Sequence, residues 1–126
     1  MNDLDDLTYL INGCAMKVYN AMGSGFQEVI YQRCLSIEFD RAGITHKREV
    51  EQVIFYDGVE VGTRRADFVI GDKIIVELKA LVNLDNLHIA QTRNYLIAYN
   101  FPIGLLINFG AESLQFKKIY NRNFNH

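Results

Sequence analysis

Only two cysteines and three histidines occur in this chain of 126 residues, and neither set is spaced for metal or covalent chemistry. Cys14 and Cys34 have no CxxC spacing and no nearby histidine ligand pattern, which argues against a zinc site and a disulfide framework. Both fall at apolar helical positions and read as core residues. His46, His88 and His126 are scattered, which argues against a histidine metal centre. Long apolar runs are also missing: none approaches the roughly 20 residues of a membrane helix, and the opening "MNDLDDLTYL" is acidic where a secretory signal is basic. The expectation is a cytoplasmic protein with no membrane partner. Repeats, low-complexity tracts and linkers are absent, so the length predicts a single domain spanning 1–126. Finally, there is no excess of positive charge. Thirteen Lys and Arg stand against fifteen Asp and Glu, a net charge of −2 that does not suggest a nucleic-acid protein. Asp3, Asp5 and Asp6 crowd the N-terminus, however, and the remainder is slightly basic. Local basic clusters occur at "HKR" (46–48), at Arg64 and Arg65, and at Lys117, Lys118 and Arg122; solvated faces account for most of these.

What is present is a change of hydrophobic period along the chain. Leu4, Leu7, Ile11, Cys14 and Val18 recur at alternating steps of three and four, predicting an amphipathic helix from about residue 3 to 22, stopped by Gly23. The same stripe could seam two subunits, although it also fits an ordinary packed helix. "SGFQ" matches a capping box, with Ser24 bonding the amide of Gln27, so a second helix is predicted from near Gly25 to "RAG" at 41–43. From Ile44 the period becomes two. "REVEQVIFY", the turn "DG" at 57–58, "VEVGTRRADFVI", the turn "GD" and "KIIVELKA" predict a three-strand antiparallel meander. "NLDNLHIAQTRNYLIAYN" returns to helical spacing, with Asn83 or Asp85 as N-cap and Pro102 helping to close it. "IGLLINFG" reads as a fully buried strand and "SLQFKKIY" as an edge strand. The order α, α, β, β, β, α, β, β predicts an α/β protein with a mixed sheet flanked by helices.

Within "KIIVELKA", Glu77 and Lys79 lie two apart on a strand that is otherwise core, and so share one face. A tight turn joins this strand to the one carrying Asp67, so a short hairpin register brings two carboxylates and an ammonium together. Burying an ion costs several kcal/mol unless it is paired or bound to a metal. A salt-bridge cluster at an exposed strand end would account for the three groups; so would a cation site. Magnesium prefers oxygen ligands and is often held by one or two carboxylates plus water and phosphate oxygens, which suits Asp67 and Glu77. A lysine beside such an ion can orient the attacking water and stabilise transition-state charge, the role expected of Lys79. Arg65 shares a strand face with Asp67 and is a candidate phosphate ligand.

The series Asp67, nine residues, Glu77-Leu78-Lys79 resembles the D-x(n)-ExK signature of the PD-(D/E)XK nuclease superfamily, with Ala66 in place of the proline. The element order is similar to its αβββαβ restriction-endonuclease-like core. "GFQEVIY", through Gly25, Glu28 and Tyr31, resembles the motif of the GxxExxY family, and "QTRNY", through Gln91 and Tyr95, resembles the QxxxY motif of RecB-like branches. The resemblance implies a nuclease using Mg2+ or Mn2+, with Asp67, Glu77 and the Leu78 carbonyl as metal ligands and Glu28 as a direct or water-mediated one. It also implies that Gln91 and Tyr95, one helical turn apart, hold a phosphate or the scissile-strand end. The expected substrate is nucleic acid, DNA foremost, with attack from its ends. Grip would come from a homo-oligomer or a protein partner, since phosphate contacts supply most non-specific affinity and the chain is not basic. The alternative is a non-catalytic module that keeps the nuclease fold to bind or regulate.

Overall fold

A computed structural model of the protein describes residues 3–125. Its elements follow the predicted order: α1 (Asp3–Met22), α2 (Glu28–Arg41), β1 (Lys47–Tyr56), β2 (Val59–Ile70), β3 (Ile74–Lys79), α3 (Asn86–Tyr99), β4 (Ile103–Asn108) and β5 (Gln115–Tyr120). The strands form one mixed five-stranded sheet in the order β1-β2-β3-β4-β5. β1, β2 and β3 pair antiparallel in succession, β3 and β4 pair parallel across α3, and β5 returns antiparallel as an edge. This is the restriction-endonuclease-like α/β architecture. Among the described residues no helix is long and apolar enough to cross a membrane.

The sheet is buried on both faces. On one, Ile74, Val76 and Leu78 of β3 and Leu105 and Ile107 of β4 pack with Ile11, Cys14 and Val18 of α1 and Tyr31, Leu35 and Phe39 of α2. On the other, Ile75, Leu106, Val69 and Ile119 pack with Leu96 of α3. A strand covered on both sides needs apolar residues at consecutive positions rather than alternate ones, which explains the run 74–76 and the all-buried β4. The buried stripe of α1 is the one its spacing predicts, and three acidic residues in its first turn favour the positive end of the helix dipole. Cys14 is buried and Cys34 half-buried, both as free thiols against the α1–α2 core.

The start of α2 departs from expectation. No capping box forms at Ser24; the helix begins at Glu28, with Gln27 as an N-cap whose side chain makes no capping bond. The reason is tertiary. Fully buried Tyr31, stacked on Phe109 with ring centroids 4.6 Å apart, donates its hydroxyl to the Gly23 carbonyl (2.6 Å) and accepts from the Phe26 N–H (3.2 Å). Gly25 takes φ +109° inside this clip, a conformation open to glycine and strained for other residues. At the hairpin tip Asp57 and Gly58 both adopt positive φ (50° and 75°), as a two-residue turn of this type demands. Of the two candidate caps for α3, Asp85 serves, accepting from the N–H groups of Leu87 (2.9 Å) and His88 (3.4 Å).

β2 is twice as long as β3 and pairs with it only from Phe68 to Ile70, so its first half pairs with β1 alone. The two-stranded arm thus formed exposes Phe55, Tyr56, Val59 and Val61.

Candidate active-site cleft

The cleft opens where β2 and β3 part. Their ladder ends at the Phe68–Val76 pair, and two residues further on the Leu78 N–H donates to Asp67 Oδ2 at 2.8 Å. Strand alternation breaks at the same place. Ala66 packs on the α3 side and Phe68 on the α1–α2 side, although residues two apart on a regular strand share a face. Opposite, Glu49 of β1 has φ +54° and drops out of the paired register between Arg48 and Val50. The irregularity re-aims Asp67, the usual consequence of such breaks near functional sites. Its Oδ1 accepts from Nε2 of buried Gln32 on α2, at 2.8 Å.

Glu77 is buried (8% exposed) and forms an ion pair with Arg64, whose side chain is 9% exposed. The guanidinium of Arg64 lies 3.6 Å from the centroid of the Tyr95 ring and donates to Gln52 Oε1 at 2.9 Å. Burial pushes the Arg64 pKa down, and the neighbouring Tyr95, Tyr99 and Asp67 oppose that shift; a guanidinium remains charged regardless. Glu28 is exposed, yet its carboxyl is raised above its ordinary range, first by desolvation and further by Asp67, with Lys79 and His88 pulling the other way. Lys79, half-buried, makes no ion pair among the described residues. His88 is tied to the cap, its Nδ1 3.1 Å from Asp85 Oδ1.

All the residues given a catalytic, metal or substrate role from sequence border one cavity of about 240 Å³: Glu28, Arg65, Asp67, Glu77, Leu78, Lys79, Gln91 and Tyr95. They come from four elements, α2, β2, β3 and α3. Arg65 lies at its mouth with a side chain 65% exposed, 3.9 Å from Glu49. Two contributors escaped the sequence reading. Arg64 lines the cavity and holds Glu77; Gln32 holds Asp67 from beneath. Gln32 carried a signal, since it lies four residues after Glu28 and so on the same helix face. Arg64 carried none, because regular alternation favours Arg65 as the neighbour of Asp67.

As a cation site, the cleft offers hard oxygen donors without a closed cage. Among the described residues there is no group of three or more His, Cys, Asp or Glu placed to hold a metal. Two carboxylates and a backbone carbonyl beside an open cavity do match magnesium's habit of keeping waters and phosphate oxygens as its remaining ligands. Both carboxylates are otherwise engaged, Asp67 by Gln32 and the Leu78 N–H, Glu77 by Arg64.

A mixed sheet flanked by helices, with a D…ExK set at the strand ends, defines a nuclease-like α/β class. The family model of the PD-(D/E)XK nuclease superfamily matches residues 5–120, and the chain belongs to that superfamily. A solved structure described as "Crystal structure of SSO0001" is similar over 75% of this chain, with a TM-score of 0.59 and 22% identity, a likeness of fold. The match covers 50% of that structure's chain, so the present chain spans about half its length. No curated protein matches the sequence.

Proposed function

We propose that the protein is a divalent-metal-dependent nuclease, of the GxxExxY type within the superfamily, that hydrolyses phosphodiester bonds in DNA. The observation that carries this reading is the gathering of Asp67, Glu77, Lys79, Glu28, Gln91 and Tyr95 around one cavity in a chain of this superfamily. Asp67, Glu77 and the Leu78 carbonyl would hold Mg2+ or Mn2+, which when bound polarises a phosphoryl oxygen and lowers the pKa of a bound water. Lys79, free of an ion pair among the described residues, orients the attacking water and stabilises charge gathering on the phosphate oxygens. The water oxygen forms a bond to phosphorus and gives up one proton, the bond from phosphorus to the leaving sugar oxygen breaks, and that oxygen takes up one proton. Glu28 stands at the same cavity and can carry the proton from the one oxygen to the other. Gln91, Tyr95 and Arg65 position the phosphate. Arg64 must release Glu77 for both its oxygens to face a cation.

A small cleft with few basic neighbours suits a strand end better than an intact duplex, which would have to be bent or wrapped to enter. Linear or single-stranded DNA should therefore be degraded faster than a relaxed closed circle in millimolar Mg2+, and Lys79→Ala should degrade neither. Equal cutting of the closed circle would remove end-dependence and leave the nuclease. Failure to cut any DNA or RNA at any metal concentration would favour a non-catalytic binding module.

A further inference from the structure

Charge is distributed unevenly along the sequence. From Asn86 to the C-terminus there is one acidic residue, Glu112, against Arg93, Lys117, Lys118 and Arg122, while the other fourteen acids precede this segment. Helix α3 contains no acid at all. The fold gathers Arg93 of α3 with Lys118 of β5 and Arg122 just beyond it around a cavity of about 430 Å³, floored by buried Ile119 and flanked by exposed Tyr120. Lys118 is held by Asp5 at 2.9 Å. Arg93 and Arg122 form no ion pair among the described residues, and Glu112 lines a different cavity beside Asn83. Cations sharing a concavity repel one another, and the arrangement becomes favourable when an anion sits between them.

This cavity and the catalytic cleft flank the same helix. Gln91, Thr92 and Tyr95 of α3 face the cleft on the β2–β3 side, whereas Arg93 faces the cavity on the β5 side. The two are therefore separated by the width of α3, about 10–12 Å with side chains. The intervening surface, which includes exposed Gln91 and Asn94, is neutral. We infer that the Arg93–Lys118–Arg122 cavity is a second binding site for the phosphodiester backbone, holding the part of the substrate strand that runs out of the cleft across α3. In a stacked strand, which rises about 3.4 Å per nucleotide along its axis, the width of α3 corresponds to about three nucleotides, and in an extended strand to fewer. Tyr120 offers an aromatic face on which a base can stack. The inference rests on the nucleic-acid reading above and supplies the grip that a chain of net charge −2 otherwise lacks.

The test measures binding of fluorescein-labelled single-stranded DNA of 2 and 20 nucleotides by anisotropy in Mg2+. Lys79→Ala is the background that prevents cleavage. Arg93→Gln with Arg122→Gln should weaken the 20-mer and spare the dinucleotide. The slope of log affinity against log salt should shrink by about 1.4, two single-strand phosphate contacts at about 0.7 each. Arg93→Lys with Arg122→Lys, which keeps the charge, should restore most of the slope. An unchanged 20-mer affinity would overturn the second site and leave the nuclease reading intact. Equal loss on both lengths, with unaltered melting temperature, would place the effect in the cleft and also overturn it. If the background protein binds neither oligonucleotide, both readings fall together.

Discussion

Arg64 and Glu77 depend on each other unequally. Glu77 is buried, and removing the guanidinium leaves a carboxylate with little solvent; breaking such a pair from one side costs about 3–5 kcal/mol. Arg64→Met should therefore lower metal-free stability by that order in urea denaturation. It should also bind Mg2+ more tightly by calorimetry, because no internal cation competes for Glu77. A variant as stable as the parent, with unchanged metal affinity, would show that the pair does not govern the site. Glu28 gives a prediction in pH. Its folded pKa is raised, so its contribution to stability is fully present below the unfolded pKa and is lost as pH rises through the folded value. Glu28→Gln should match the wild type in melting temperature in acid and exceed it at neutral pH; parallel curves across that range would contradict the shift. At this scale the Asp67, Glu77 and Lys79 set was legible from sequence because two charges on a core strand are anomalous. Gln32 and Arg64 were not, since one rests on packing between α2 and β2 and the other on a break in alternation that no local pattern announces.

Elements become precise where tertiary bonds hold their ends. Asn108, fully buried at the end of β4, accepts from the N–H groups of Leu81 (2.8 Å) and Gly110 (3.1 Å). It donates to the Leu81 carbonyl (2.9 Å) and Gln115 Oε1 (2.8 Å). The amide thus fixes the chain two residues past Lys79. Asn108→Ala strands several of these groups, and at about 1–3 kcal/mol for each unsatisfied one the loss in a melting experiment should be large. Gly110 passes so close that an added Cβ would lie 2.4 Å from the Ala80 carbonyl carbon and the Leu81 nitrogen. Gly110→Ala must then displace the backbone behind Lys79, and should reduce both stability and cleavage. A fully stable, active variant would contradict that close approach. The bounds of α1 and β2 follow from local signals alone, apolar spacing with a glycine stop and period-two alternation between turns. The start of α2 does not, because Tyr31 holds residues 23–26 out of the helix from a position no capping rule consults.

At the scale of the molecule, the β1–β2 arm stands apart from the core. Phe55 (64% exposed) and Tyr56 (71% exposed) near its tip lose little by substitution. Phe55→Lys should leave stability within about 0.5 kcal/mol in urea denaturation. A larger loss would contradict the exposure of the arm.

The parallel pairing of β3 with β4 orders events in time. The β1–β2–β3 meander closes through short turns, whereas β4 can reach β3 only after residues 80–102 have looped across the sheet and α3 has docked. Long closures are entropically expensive and slow relative to hairpins. Asp67, Glu77 and Lys79 should thus assemble while the chain is still incompletely folded, with Gln91 and Tyr95 arriving last. In pulse-labelled hydrogen exchange the amides of β2 should gain protection before those of β4, and the reverse order would refute the sequence of steps. A chain caught between the two stages would carry its acid and lysine set on an open sheet, with Val69 and Ile75 uncovered where α3 belongs. Such a species is prone to stick to its own kind before the fold is complete.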